Sequence, residues 1–153
     1  MPADQANIQI ILGSTREGRF GETVAKWFYG VAESREDLAT EFIDLRDWPL
    51  PFFAESMGPS GGNYAEEAKP WAAKIAEGDG FVIVTPEYNH GYPAVLKNAM
   101  DHLYREWNNK PIAFVSYGCE AGGSRSVEHS SSRAAARCRS SACPTATATG
   151  SWR

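Results

Sequence analysis

The feature that most restricts the fold is Phe81-Val-Ile-Val-Thr85, an unbroken apolar and mostly β-branched run set between Gly78-Asp-Gly80 and Pro86. A strand without polar alternation has to be covered on both faces, and such strands belong to parallel sheets inside α/β domains. Ile8-Gln-Ile-Ile-Leu12 and Pro111-Ile-Ala-Phe-Val-Ser116 have the same character. Glu41-Phe-Ile-Asp-Leu45 reads as a further strand, stopped by Trp48-Pro-Leu-Pro51, whose prolines cannot sit in a central ladder.

Helical spacing fills the intervals. Val24, Trp27, Phe28 and Val31 recur at i, i+3, i+4 and i+7, predicting a helix from Gly21 or Glu22 with those residues on its buried face. Ala68, Trp71, Ala72 and Ile75 do the same within 65–76, where Pro70 marks a first turn or a kink. Leu96, Ala99, Met100 and Leu103 repeat the pattern within 93–104. The order β-α-β-α-β-α-β predicts an α/β fold built on a doubly wound parallel sheet. At 153 residues and 42% hydrophobic content the chain has material for one such domain.

Charge is unevenly spread. Residues 1–128 hold all 19 acidic side chains and 11 of the 15 basic ones, which leaves that part at −8 and the remainder at +4. An acidic body argues against nucleic acid as a partner, because phosphate contacts need a basic surface. The longest apolar runs fall far below the roughly 20 residues of a membrane span, so no membrane association and a cytoplasmic location are expected. Cys119, Cys138 and Cys143 form no CxxC pair, and neither a metal site nor a disulfide framework is expected.

From His129 to Arg153 the chain contains no Val, Ile, Leu, Phe, Met or Tyr and no acidic residue. Gly122-Gly-Ser-Arg-Ser-Val-Glu128 has the form of a helix N-terminus, yet the residues after it offer nothing to bury. We therefore expect a domain over 1–128 and a low-complexity Ser/Ala/Arg-rich tail over 129–153, either disordered or the product of a shifted reading frame.

Three loops at strand ends carry the chemistry. Gly13-Ser-Thr-Arg-Glu-Gly-Arg-Phe-Gly21 joins a strand to a helix and offers backbone N–H groups, hydroxyls and two guanidiniums to a phosphate. It lacks the Gly-Lys-Ser/Thr of a P-loop and the GxGxxG of a dinucleotide fingerprint. Thr85-Pro-Glu-Tyr-Asn-His-Gly-Tyr-Pro93 suits a flat heterocycle with polar edges. Ser116-Tyr-Gly-Cys-Glu-Ala-Gly-Gly123 supplies glycines for close backbone approach. In an open α/β sheet all three share the carboxyl edge, where ligands bind.

Gly13-Ser-Thr-Arg16 with Arg19, Pro86-Glu-Tyr-Asn89 with Gly91 and Pro93, and Leu96-Lys-Asn-Ala-Met-Asp101 together resemble the NADPH-dependent FMN reductase family, which includes quinone, chromate and azo reductases. The resemblance covers residues 8 to about 128. It implies a flavodoxin-like fold, here without the usual fifth strand and last helix, and FMN as cofactor with NADPH or NADH as electron donor. Gly13, Ser14, Thr15, Arg16, Arg19, Phe20 and Gly21 would hold the FMN phosphate. Pro86, Glu87, Tyr88 and Asn89 would border the ring, and so would Ser116, Tyr117 and Gly118. Tyr92 joins Tyr88 and Tyr117 as a candidate for the face where substrates stack, and no side chain is required as an acid. The implied partner is a small-molecule electron acceptor such as a quinone, azo compound, chromate or free flavin, and the implied assembly a homodimer or homotetramer. The rival readings are a non-enzymatic FMN-binding electron carrier and an inactive truncated reductase. His90 and His102 read as loop and helix-surface residues, Cys119 as a small turn residue, Lys97, Asn98 and Asp101 as capping or interface groups, and Trp48, Trp71 and Trp107 as core or interface aromatics.

Overall fold

The computed structural model describes residues 5–137 and 146–149. Its strands are β1 (Ala6–Leu12), β2 (Leu38–Asp44), β3 (Gly80–Pro86), β4 (Ile112–Tyr117) and β5 (Ala146–Thr149). They pair in the order β2-β1-β3-β4-β5, every pair parallel. The helices are α1 (Gly21–Glu33), α2 (Lys69–Ala76), α3 (Ala94–Asp101) and α4 (Ser124–Arg137).

β3 is buried along its whole length, as an apolar run at the centre of a parallel sheet must be. Its side chains alternate between two cores. Phe81 and Ile83 meet Trp71, Ile75, Leu96 and Leu103 on one face, while Val82 and Val84 meet Val24 and Ala25 of α1 on the other. Trp71 is almost fully enclosed, and its indole N–H donates to the Ala99 carbonyl at 2.9 Å, which ties α2 to α3. Pro70 falls in the first turn of α2 and bends nothing, because an amide hydrogen is not needed there. Trp71 and Trp107 are core residues and Trp48 packs against them.

Three expectations need correction. The buried face of α1 is formed by Val24, Ala25 and Ala32, whereas Trp27 and Val31 are about half exposed, at 56% and 51%. Small residues let the helix approach the sheet closely, and that rotates the large ones outward. His102, expected on a helix surface, is buried, with Nε2 2.8 Å from the Pro51 carbonyl and its ring edge-on to Phe53.

The third correction concerns the sheet, which was expected to end at its fourth strand. β5 pairs with β4 from Ala113 to Ser116 through Ala146–Thr149. Pairing at a sheet edge is a backbone matter, and a short Ala-Thr-Ala-Thr segment answers the open N–H and C=O row of β4 without large apolar side chains. Nor does the helix stop where the composition changes. α4 crosses Glu128 and buries Val127 and Ser130, the Ser130 hydroxyl donating to the Ser126 carbonyl at 2.7 Å. The expected absence of a final helix, and residues 138–145 and 150–153 of the Ser/Ala/Arg-rich segment, lie outside the described residues.

Candidate functional site

The strand order reverses between β1 and β3, so the loops after these strands leave the sheet side by side. Gly13 opens the first loop with its N–H on the Val84 carbonyl at 2.9 Å. A Cβ there would stand 3.0 Å from Leu96 and 3.1 Å from the Val84 carbonyl oxygen, so any larger residue would crowd the loop against β3. Ser14 is fully buried, its Oγ 2.8 Å from the Tyr88 hydroxyl. Arg19 is turned inward, its side chain 1% exposed. It donates to the Ser14 carbonyl and, through both terminal nitrogens, to the Asp44 carboxylate. Arg46 donates to the carbonyls of Thr15 at 3.2 Å and Arg16 at 2.6 Å, and its own N–H is accepted by Asp44 at 2.9 Å. The Asp44 carboxyl is partly buried, which by itself would raise its pKa; the hydrogen bonds from Arg19 and Arg46 outweigh this and hold it below its ordinary value of 3.8.

The second loop is a tight hairpin. Tyr88 and Gly91 exchange N–H···O bonds of 2.9 and 3.0 Å around Asn89 and His90, both with positive φ (52° and 65°). This is the backbone of a mirror-type two-residue turn, in which Asn is well tolerated and His is strained. The third loop is braced from within by Ser116, whose hydroxyl donates to the Gly122 carbonyl at 2.9 Å. Loops two and three are joined by Glu87, whose N–H donates to the Tyr117 carbonyl at 3.1 Å. Arg125, in the first turn of α4, lies 3.0 Å from the Glu87 carboxylate, 2.6 Å from His90 Nδ1 and 3.2 Å from the Glu120 carboxylate.

Between these loops is a cavity of about 390 Å³, lined by Arg16, Phe20, Pro86, Glu87, Tyr88, Tyr117, Gly118 and Cys119. That volume lies within the range of small-ligand pockets, and the lining is mainly aromatic with a few polar groups, as a flat heterocycle requires. Burial pushes the Tyr117 hydroxyl up to about 12, with Tyr88 adding to the shift, so it is a neutral group at ordinary pH. Phe20 meets the Tyr117 ring edge-on at 5.8 Å. Arg16, one of the lining residues, belongs to the loop whose carbonyls accept from Arg19 and Arg46. The residues present therefore fit a phosphate-bearing planar cofactor.

Of the residues singled out from sequence, Arg16, Phe20, Pro86, Glu87, Tyr88, Tyr117 and Gly118 come together at this cavity, and Ser14 supports it through Tyr88. Others do not. Arg19 is committed to Asp44, since a buried guanidinium needs a carboxylate more than it needs a ligand. Tyr92 packs against the core on the α2–α3 side and is not among the lining residues. Asn89 sits at the exposed hairpin tip, Ser116 is buried beneath its loop, and Thr15 lines a neighbouring hollow of about 290 Å³ with Arg46 and Trp48. Asp44, Arg46 and Arg125 were not foreseen. Two arginines in one loop signal a need for a nearby carboxylate, and Asp44 at a strand's carboxyl end was available to supply it.

Residues 6–149 match the family profile described as NADPH-dependent FMN reductase. The chain belongs to that family. The match runs past Glu128, where the resemblance was expected to end. An NAD(P)H-dependent FMN reductase of Schizosaccharomyces pombe is 49% identical over 119 residues, 76% of this chain and 60% of the relative. An NAD(P)H-dependent FMN reductase of a Nectria species is 40% identical over 134 residues, covering 83% of this chain and 67% of the other. Among solved structures, an azoreductase of Bacillus anthracis superposes with a TM-score of 0.73 at 17% identity, over 96% of this chain and 87% of that one. The flavoenzyme FerB, an NAD(P)H:(acceptor) oxidoreductase of Paracoccus denitrificans, gives 0.70 at 22% identity, over 94% and 75%. The flavodoxin-like architecture is thus shared, and the chain spans about three fifths of the length of its fission-yeast relative.

Proposed function

We propose that this chain is an FMN-dependent oxidoreductase that takes electrons from NADPH or NADH and passes them to small acceptors such as quinones, azo compounds, chromate or free flavin. The observation that supports it most is the meeting of a phosphate-sized loop and an aromatic cavity at one sheet edge, with Arg16 at their junction. In this reading Ser14, Thr15 and Arg16 hold the phosphate, while the backbone of Pro86–Tyr88 and of Tyr117–Gly118 borders the ring. Bound FMN would supply hydride acceptance from the nicotinamide and delivery to the acceptor. Side chains orient the ligands and exclude water. Tyr117 stays protonated and serves as a hydrogen-bonding wall, so no side chain need act as acid or base. The working form is a homodimer or homotetramer in the cytoplasm, and residues 1–128 carry the cofactor-binding domain.

The test is the visible absorption of the purified protein, recorded before and after anaerobic addition of NADPH and, separately, NADH. Two flavin bands that bleach with turnover of a quinone are expected. Bands that persist would point to an electron carrier, and absence of flavin binding after incubation with FMN would overturn the reading.

A further inference from the structure

Three consecutive carbonyls in the first loop are engaged from the same set of residues. Ser14 O accepts from Arg19, and Thr15 O and Arg16 O accept from Arg46, at 3.2 and 2.6 Å. None of the peptide bonds is cis. In a trans peptide the carbonyl and the next N–H point in opposite directions, so drawing these carbonyls toward the arginines aims the N–H groups of Thr15, Arg16 and Glu17 the other way. Arg16 N–H is 3.4 Å from Ser14 Oγ, and those of Thr15 and Glu17 have no hydrogen-bond partner among the described residues. Successive N–H groups turned to the side opposite their engaged carbonyls are the material of an anion-binding concavity. Asp44 locks the arrangement by accepting from the side chain of Arg19 and from the backbone of Arg46.

We propose that Arg46, anchored through Asp44, is a positioning residue that holds residues 14–17 in their anion-binding form, so that the chain selects a phosphorylated flavin over an unphosphorylated one. The inference rests on the FMN reading of the site. Arg46 reaches the ligand only through the loop: it lines the neighbouring hollow with Thr15 and is absent from the ring cavity. Its planar fork spans two successive carbonyls, Nε on one and Nη2 on the next, which a lysine ammonium cannot do from one position. A loop already held in its binding form spares the ligand the entropy of ordering it, so the loss on removing Arg46 should fall on phosphate affinity.

The experiment compares full-length wild type, Arg46→Met and Arg46→Lys, each freed of flavin and titrated separately with FMN and riboflavin. Methionine keeps an apolar stem on an exposed residue and so leaves the fold intact. Wild type should bind FMN more tightly than riboflavin. Arg46→Met should weaken FMN binding on the order of 10- to 100-fold and change riboflavin binding by less than about threefold, with Arg46→Lys between the two. Equal FMN affinity in wild type and Arg46→Met overturns the inference while leaving the cofactor reading standing. An equal loss for both flavins also overturns it, since Arg46 would then act on the whole crevice. Failure of wild type to bind either flavin overturns the inference and the cofactor reading together.

Discussion

The Tyr88 hydroxyl lies 2.8 Å from Ser14 Oγ, across a sequence separation of 74 residues. It links the loop after β1 to the hairpin after β3, adding a side-chain tie between two loops whose strands are already paired. Tyr88→Phe should remove that link with little change in stability and weaken FMN binding by about 1 kcal/mol, or roughly fivefold. Ser14→Ala should cost more, about 1–2 kcal/mol, because it also leaves the Arg16 N–H without its acceptor. Flavin fluorescence titrations of both variants would check the order.

Asp44 makes the first loop acid-sensitive. Its carboxyl is held below 3.8 in the folded chain, and a carboxylate with a depressed pKa stabilises the fold above its unfolded value and loses that contribution as pH falls through the folded one. Thermal unfolding midpoints measured from pH 6 to pH 3 should therefore fall at the acid end in wild type. Asp44→Asn should start lower, by up to about 3 kcal/mol because it strands the buried Arg19 guanidinium, and should show a flatter acid limb.

The N-terminus of α1 and the end of β4 touch at a point that tolerates no side chain. A methyl group on Gly21 would overlap the Tyr117 hydroxyl and stand 3.0 Å from Tyr117 Cζ and 3.1 Å from Leu12 Cδ1. Gly21→Ala should destabilise by about 1–3 kcal/mol. Adding Tyr117→Phe removes the overlapping oxygen and should restore part of the loss. A recovery absent from the double variant, read by denaturant unfolding, would place the strain elsewhere.

Asn98 anchors the proline-rich segment after β2. Its amide accepts the Phe53 N–H at 2.9 Å and donates to the Pro51 carbonyl at 2.9 Å. Asn98→Ala should cost about 2–3 kcal/mol, lowering the melting temperature by roughly 4–12 °C for a chain of this size. Limited proteolysis with mass-spectrometric mapping should then show new cleavage near Phe52, which is already 82% exposed.

What could be read from sequence was whatever depends on local periodicity. Phe81–Thr85 is a buried central strand because nothing in it is polar enough for a surface, and the three loops share an edge because parallel strands all end on the same side. Polar side chains resisted this reading. Nothing in Arg19 alone says that it turns inward; that depends on Asp44, which arrives from a different strand. Trp27 and Val31 fit the helical period but lose the sheet-facing position to Ala25 and Ala32, since close helix-to-sheet contact favours small residues. β5 escaped because its pairing relies on backbone groups rather than on hydrophobic pattern.

The loops of the crevice are complete by Gly123, and braces on the second of them, Arg125 at Glu87 and Ser126 at Thr85, come from the start of α4. During translation these loops therefore emerge before most of α4 and before β5. The crevice is thus finished late in synthesis, only when α4 can set Arg125 on Glu87 and Ser126 on Thr85.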